Sequence, residues 1–587
     1  MNPIRMALGG LCCFLVGITL PTQADSGAPL KVDNFGLLDH RGRFHELYYY
    51  ENDPETSAIV MFVQGNGCPL VRKRLPELAR LQKAYAERGV RFCMINANPQ
   101  DTREEILKEA EEFGIGMPIL LDTTQLVAEA LKLTRTSEVL LIEPDSWNLR
   151  YRGAISDQLD YEAAKPSASR EHLVEALEAL LEGRPIETAA TTSPGCLIGF
   201  QDRKENTDLS YAETIAPLLE QRCVRCHTPG GIGPFAMSSY RKVSGWASMM
   251  EEVVMTGRMP PWQGDPHHGV FGNDYSMSDV EKRKLIRWIR QGAPRGEGPD
   301  PLEAVRVTPL EWALGTPDHV IHIDPQEIPA EGVLDYRYLT VKLPFEEDLW
   351  VRAVEVNPGN TRVLHHVIAS IVRDAEGKKR ERSLAGYAPG MGPDLLPQGT
   401  GIRIPGGSYV RFQLHYTVSG KPETDSTRLG LYFAKEPPER ELKSGLVIET
   451  QFRIPPYARE YTVSKTNRID RDILLWSMNP HMHFRGKAMS YEAIYPDGER
   501  EILLSVPHYH FNWQRNYTLA EPKRLPKGTE VVVHATWDNS SLNSYNPDPS
   551  KKVRWGEQTF NEMFFASYRY TLPGEVRRDN TANLKGR

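Results

Sequence analysis

The sequence predicts a multidomain chain: an α/β domain, then a small all-α domain, then two all-β sandwiches. Three observations predict it. At 587 residues the chain is about four times the length of an ordinary domain. Its hydrophobic pattern changes twice: apolar runs alternating with helical stretches give way near residue 205 to helices, and near 303 to short alternating strands. Hydrophobic residues make up 40% and charged residues 25%, with Gly 46 and Pro 44, which is globular composition rich in turn formers rather than disorder or a membrane bundle. The net charge of −7 excludes a basic nucleic-acid surface.

The first element, residues 1–24, reads as a signal peptide. Arg5 supplies a basic start, Met6 to Leu20 is apolar, and Thr22-Gln23-Ala24 is a small-residue cleavage site. That run is shorter than the roughly 20 apolar residues a spanning helix needs. The expectation is a chain that starts near Asp25, periplasmic or otherwise exported, with no stable membrane span after cleavage; an uncleaved anchor is the alternative. Outside the signal the cysteines are Cys68, Cys93, Cys196, Cys223 and Cys226. None follows Cys226, so the larger part of an exported protein must fold without disulfides.

Residues 28–197 carry the α/β pattern. Ala58 to Val63 is a buried strand, Pro69 to Arg88 a long helix, and Val90 to Ala97, Pro118 to Leu121 and Val139 to Ile142 are further strands. Ala189 to Pro194 is a Pro/Ser/Thr stretch that reads as a linker. Residues 205–296 are mainly helical. There Ser278-Asp279-Val280-Glu281 is a capping box, Leu285, Trp288 and Ile289 form an apolar stripe, and Gly292 with Pro294 ends the helix. Residues 303–437 and 445–587 are the two β-sandwiches, divided at Glu436-Pro437-Pro438-Glu439. Trp350 to Val356, Ser408 to Val418, Ile473 to Met478 and Glu530 to Trp537 are representative strands.

Cys223-Val224-Arg225-Cys226-His227 is C-x-x-C-H, the c-type haem attachment signature. Its two thiols can form thioether bonds to a porphyrin while His227 ligates the iron. The competing reading is half a zinc site, which would need two more ligands, and no cysteine follows. The region resembles the small cytochrome c domains of bacterial periplasmic proteins. That resemblance implies one covalently bound haem c. It also implies a methionine as second axial ligand, and Gly257-Arg258-Met259-Pro260-Pro261-Trp262 makes Met259 the choice over Met237, Met249, Met250 and Met255.

The last part of the chain contains His365-His366, His415, His481-Met482-His483 and, after Trp555-Gly556-Glu557-Gln558-Thr559, Glu562-Met563. Alternate residues of a strand share a face, so His481 and His483 can grip one metal together. In Val410 to Tyr416 the apolar residues face one side and leave His415 on the other with Gln413. Adjacent His365 and His366 would point apart in an ideal strand, so sharing a metal requires a bulge or swung rings. His508-Tyr509-His510 and His267-His268 are set aside because their surroundings do not match. The chosen residues resemble the copper type II (ascorbate-dependent) monooxygenases, the family of peptidylglycine hydroxylating and dopamine β-monooxygenases, over about residues 310 to 570. This implies two jelly-roll domains and two copper ions. His365, His366 and His415 would hold an electron-transfer copper. His481, His483 and Met563 would hold the oxygen-binding copper, where a soft thioether favours Cu(I). The sequence departs from the family in two ways: the animal enzymes are disulfide-rich, and Asn479 stands where the peptide-amidating members carry an arginine that binds a carboxylate.

Gly67-Cys68-Pro69-Leu70-Val71, between a strand and a helix, resembles the active-site turn of the thioredoxin-like redoxin fold. A helix N-terminus lowers a thiol pKa, so Cys68 is a possible redox thiol. The second cysteine of C-x-x-C is replaced by Val71, the usual proline before the next central strand by Ser137, and the peroxidase threonine by Gly65. Ordinary dithiol exchange is therefore not expected. Cys196 is a candidate partner for Cys68, Cys93 reads as inert, and a degenerate fold serving as a docking module is the other reading.

Taken together, these features imply an exported copper-dependent monooxygenase. It would hydroxylate a small-molecule substrate with O2, taking electrons from a periplasmic donor or an ascorbate-like reductant by way of the fused haem. The catalytic residues would be His481, His483 and Met563. The alternative is a non-catalytic haem/copper electron-transfer or copper-binding protein.

Overall fold

Ala58–Gln64 is the middle strand of a five-stranded sheet, and all seven of its residues are buried. A strand covered on both faces favours apolar residues throughout, which Ala-Ile-Val-Met-Phe-Val supplies at the first six positions, while the seventh, Gln64, accepts a hydrogen bond from Asn96. The computed structural model of the protein describes residues 30–201, 209–305, 311–377, 380–389 and 391–574; the signal-peptide reading for residues 1–24 lies outside them. The sheet order is Ile119–Leu121, Val90–Asn96, Ala58–Gln64, Val139–Glu143, Asn148–Gly153; the first three strands are parallel and the last two pair antiparallel. Val60 and Phe62 meet the helices Pro69–Tyr85 and His172–Leu181 on one face. Ile59, Met61 and Val63 meet Val127, Leu131 and Trp147 on the other. This is the thioredoxin-like α/β arrangement.

The stretch expected to be a free linker is instead docked on this domain. Thr191 donates its amide to the Arg152 carbonyl and bonds the Tyr151 hydroxyl through its own, while Ser193 bonds the Ser137 carbonyl. Gly195 passes so close to Thr136 that a Cβ there would lie 1.8 Å from the Thr136 carbonyl oxygen. Pro, Ser and Thr mark irregular backbone, which the sequence pattern cannot distinguish from flexible backbone.

The following helices, Ala216–Arg222, Tyr240–Gly245, Ala247–Met255 and Asp279–Arg290, surround a separate core of Tyr211, Ile215, Leu219, Val243, Met250, Leu285 and Trp288. The capping box on Ser278 and Glu281 forms in full, and Gly292 takes a positive φ just past the helix end. Between the third and fourth of these helices the chain leaves the bundle. Asp265 donates its amide to the Ser505 carbonyl, Phe271 bridges Leu519, and Asn273 accepts from the Thr518 amide while donating its side-chain amide to the Asn516 carbonyl, which lays this segment along the last sandwich.

The rest is antiparallel β-structure with one parallel pairing among its named strands. In the first sandwich one sheet runs Arg337–Lys342, Tyr409–Tyr416, Leu364–Val372, Arg380–Tyr387. The facing sheet contains Thr400–Ile404, Leu349–Asn357, Arg428–Phe433 and His319–His322. Val354, Val367, Val410, Phe412, Leu414 and Leu431 fill the space between them. Arg440–Glu441 pairs in parallel with the first sandwich, and Lys443–Glu449 belongs to the second, so the chain crosses over at Leu442. The second sandwich packs Lys443–Glu449, Phe564–Thr571, Ile473–His481 and Tyr517–Leu525 against Tyr461–Arg468, Glu530–Trp537, Gly486–Ile494 and Arg500–Val506. Its core includes Met478, Tyr491, Val533, Trp537 and Phe564. The two sandwiches meet through a 2.6 Å Arg569–Asp394 ion pair and through Tyr336, whose hydroxyl donates to the Glu557 carbonyl. Among the described residues no helix is long and apolar enough to cross a membrane.

Candidate functional site

His365 and His366 lie on Leu364–Val372 and His415 on the adjacent Tyr409–Tyr416. The ladder pairs Leu364 with Tyr416 and then His366 with His415, so the register slips by one residue at His365. This is the irregularity the sequence required: it frees two consecutive side chains from pointing to opposite faces. One nitrogen from each imidazole falls within 4.8 Å of the others. Both ring nitrogens of His365, Nε2 of His366 and Nδ1 of His415 are buried without a hydrogen-bond partner. Each such orphan costs about 1–3 kcal/mol, a cost that a shared cation removes for one nitrogen of each ring. Burial pushes His365 down to about 4 and His415 to about 3, and holds His366 well below the usual range. All three rings are therefore neutral at physiological pH, the form that ligates metals. The Tyr336 ring packs against His366 and His415, at 5.3 and 4.6 Å between centroids.

His481 ends the Ile473–His481 strand and His483 follows just beyond it, their ring centroids 5.3 Å apart. His481 Nδ1 donates to the Gln514 side-chain oxygen at 2.6 Å, and His483 Nδ1 faces the Asn561 carbonyl at 3.3 Å. Fixing Nδ1 as the donor leaves Nε2 of each ring with its lone pair. Burial pushes His481 down to about 4. The half-buried Met563 follows Glu562, whose wholly buried carboxylate accepts from the amides of His483 and Arg485 and from the Trp537 indole. These bonds tie the Met563 loop to the His481–His483 segment. Burial lifts Glu562 to about 7 despite them. Sequence reading missed Gln514, whose only signal is its place between two aromatic-rich runs, and saw Glu562 merely as the neighbour of Met563.

Phe511 joins the two histidine groups. Its ring stacks on His365 at 4.8 Å and meets His483 edge-on at 6.0 Å. His508 and His510 are engaged elsewhere, stacked on Phe44 and beside Tyr545, and His267 and His268 face Asp265.

The C-x-x-C-H segment follows directly on the Ala216–Arg222 helix. His227 Nδ1 lies 3.0 Å from the Phe235 carbonyl, a contact only an N–H satisfies, so Nε2 is the nitrogen left to ligate. Burial pushes the Cys223 thiol up to about 12 and the His227 imidazole below its usual value. Met237 and Met250 sit in the helical core, Met249 faces solvent and Met255 packs on the α/β domain. Met259 is half-buried, its amide bonded to the Val253 carbonyl.

Cys68 precedes the Pro69–Tyr85 helix as its N-cap, and its Sγ lies 2.9 Å from Sγ of Cys196. Cys196 is brought there by the docked stretch: the Thr136 hydroxyl accepts its amide and stands 3.3 Å from the Cys68 sulfur. Burial acts to raise the Cys68 pKa, but the bonds from Cys196, Thr136 and the Val71 amide outweigh it and leave the thiol below its ordinary value. Cys196 is pushed the other way, chiefly by Cys68 itself. Burial lifts Cys93 to about 12, which makes it unreactive.

Residues 30–157 match the AhpC/TSA family. This part of the chain is a thioredoxin-like redoxin domain. Over 112 residues the chain is 24% identical to the thiol-disulfide oxidoreductase ResA of Bacillus subtilis (strain 168), covering 19% of this chain and 59% of that protein. The chain thus spans under two thirds of that relative. Among solved structures, an uncharacterized conserved protein from Geobacillus kaustophilus is 33% identical over 30% of this chain and 92% of its own, with a TM-score of 0.27. A hypothetical protein from Sinorhizobium meliloti 1021 is 26% identical over 30% and 94%, with a TM-score of 0.27. A DsbE-type thiol:disulfide interchange protein from Chlorobium tepidum is 15% identical over 26% and 96%, with a TM-score of 0.21.

Proposed function

We propose that the protein is an exported copper-dependent monooxygenase that hydroxylates an organic small molecule, with electrons supplied by way of a covalently bound haem c. The observation that carries this reading is the orphaned imidazole cluster of His365, His366 and His415, whose ligand atoms lie within 4.8 Å of one another. These residues fit a copper ion: the rings are neutral, each presents a buried nitrogen without a hydrogen-bond partner, and imidazole suits copper. His481, His483 and Met563 would hold the second ion, and Cys223, Cys226, His227 and Met259 the haem. When bound, copper supplies one-electron storage and O2 activation, and haem supplies one-electron transfer.

The chain's own residues prepare the chemistry. Gln514 fixes the tautomer and orientation of His481, and the Asn561 carbonyl those of His483. Glu562 anchors the backbone around His483, which holds the Met563 loop in place. Phe511 fills the space beside His365 and His483 with an apolar ring, keeping water from that contact. Hydroxylation consumes one O2, two electrons and two protons for each C–H oxidised and releases one water. The export signal at residues 1–24 would place this in the periplasm or outside, where the donor is a periplasmic carrier or an ascorbate-like reductant.

The test is copper and iron per chain on the mature protein after mild copper loading. Two coppers per haem iron support the proposal and justify a substrate screen. One copper indicates a carrier with a single working site, and iron without copper overturns the monooxygenase reading.

A second reading is favoured by a specific observation, the 2.9 Å approach of Cys68 to Cys196. The redoxin domain would exchange this dithiol with a partner disulfide, two thiols being oxidised as the partner's disulfide is reduced. Alkylation of Cys68 that leaves such exchange untouched would rule it out.

A further inference from the structure

The two thiols of the redoxin domain differ in access. Cys68 is 5% exposed and belongs to the same buried cluster as Phe62 and Val71. Sγ of Cys196 and the buried Thr136 hydroxyl stand against its sulfur, at 2.9 and 3.3 Å. Cys196 is exposed, although the backbone on either side of it is pinned. The Tyr161 hydroxyl and Arg135 Nη1 both donate to the Gly195 carbonyl at 3.1 Å, and Ile198 donates its amide to the Thr134 carbonyl. The docked stretch therefore fixes where Cys196 stands while leaving it open to solvent.

Thiol–disulfide exchange proceeds by attack of a thiolate on sulfur, along the axis of the bond that breaks, through a mixed disulfide. A partner's sulfur can meet that geometry at Cys196, from the solvent side. At Cys68 the same approach would have to pass through Cys196 or through the core. Acidity favours the other cysteine: Cys68 is the thiol held below its ordinary value, and Cys196 the one pushed above it. The 2.9 Å contact reconciles the two effects. A thiol and a thiolate that close share a proton, so Cys68 can act as the base that frees Cys196. The thiolate of higher pKa is also the stronger nucleophile, and that of lower pKa the better leaving group.

We propose that Cys196, on the docked stretch, is the sulfur that forms the mixed disulfide with a partner, and that Cys68, at the helix end, is the internal sulfur that resolves it. This rests on the dithiol reading of the redoxin domain above. In the direction that reduces a partner, Cys196 passes its proton to the Cys68 thiolate and attacks one sulfur of the partner's disulfide. The partner's other sulfur leaves and takes that proton from Cys68. The Cys68 thiolate then attacks Sγ of Cys196, and the first partner sulfur leaves as a thiolate. Two protein sulfurs are oxidised to one disulfide as one partner disulfide is reduced, and no further oxidant is consumed. In reverse, a partner thiolate attacks Cys196, and Cys68 leaves as a thiolate stabilised by the Thr136 hydroxyl and the Val71 amide.

The experiment uses the full chain, as parent, Cys68→Ser and Cys196→Ser. Each is reduced, given glutathione disulfide, quenched with acid and mapped by peptide mass. The expected result is glutathione on Cys196 in Cys68→Ser, and a Cys68 that stays unmodified in native Cys196→Ser but reacts once that variant is unfolded in urea. A second measurement needs no variant and decides the matter if Cys68→Ser does not fold. The parent, oxidised to its Cys68–Cys196 disulfide, receives a brief pulse of reduced glutathione before the same quench and map, and the adduct is expected on Cys196. An adduct on Cys68 in the native protein, in either measurement, would overturn the assignment and leave the dithiol reading standing, as would a folded Cys68→Ser whose Cys196 takes up no glutathione. A parent that forms no Cys68–Cys196 bond would overturn both.

Discussion

The Cys68 and Cys196 sulfurs lie 2.9 Å apart although 128 residues separate them along the chain. The contact depends on backbone rather than on the thiols themselves: the Thr136 amide donates to the Cys196 carbonyl, and Ile198 donates to Thr134. Treating the purified protein with glutathione disulfide should therefore yield a linked Cys68–Cys196 peptide in non-reducing mass spectrometry, absent from Cys196→Ser. Closing so long a loop should raise stability by up to about 5 kcal/mol in a denaturant titration. Recovery of both thiols in free form would show that the pair does not oxidise.

Replacing Gly195 should uncouple the two cysteines without touching either. A methyl group there would meet the Thr136 carbonyl at 1.8 Å, and backbone cannot swing aside as a side chain does. Gly195→Ala should destabilise the redoxin domain by about 1–3 kcal/mol and lower the yield of the linked peptide. Thermal unfolding and the same peptide map check both.

Loss of one histidine group should spare the other. His415→Ala is expected to bind about one copper fewer per chain than the parent by elemental analysis. Met563→Ala should retain both ions at saturating copper, abolish hydroxylation and leave the haem absorption bands unchanged. Normal turnover in Met563→Ala would exclude the proposed role of its thioether.

Gln514 touches no proposed ligand atom of His481, only the opposite ring nitrogen. Gln514→Ala should weaken copper binding at the His481 pair by about 10–100-fold, the usual effect of removing an outer partner of a metal-bound imidazole. Competition with a copper chelator measures it. An unchanged affinity would show that the ring is held by packing alone.

Asp265 pairs with Arg103 at 2.8 Å across two parts of the chain, both side chains nearly inaccessible. Burial acts to raise its pKa, but the bonds from His267 and Arg103 win and hold it well below the ordinary carboxylate range. Because the folded value is depressed, the ionised carboxylate stabilises the fold above the unfolded value. That contribution is lost as pH falls through the carboxylate range toward the folded value. Asp265→Asn should cost about 3–5 kcal/mol at neutral pH by stranding Arg103. The gap from the parent should narrow below about pH 4.

What the sequence revealed depended on the range of the interaction. Ser278 and Glu281 cap their helix through a local exchange of bonds, so three residues of spacing sufficed to read it. The alternation of Val410, Phe412, Leu414 and Tyr416 reported the buried face directly and with it the side His415 takes. The convergence of His365 with His366 was legible only as a requirement, because a slipped register leaves no mark in the residues that slip. The course of the segment around Asp265 and Phe271 had no local signal, since its partners Ser505 and Leu519 lie more than two hundred residues away. The docking of the 189–198 stretch was hidden for the same reason: Pro, Ser and Gly look alike whether they are free or pinned.

Gln514 and Arg515 are neighbours in sequence, yet one side chain steers a proposed copper ligand and the other lies over the Tyr275 ring at 5.0 Å, the same ring that Arg225 of the C-x-x-C-H segment covers at 4.4 Å. A single peptide bond therefore spans what domain architecture would otherwise leave to chance. Hinge motion between the helical region and the sandwich would have to tear the Arg515 side chain from its ring before it could lengthen that gap. The distance from the His481 pair to the C-x-x-C-H segment is thus set by side-chain contacts that root on one peptide bond, so motion at either end is felt at the other.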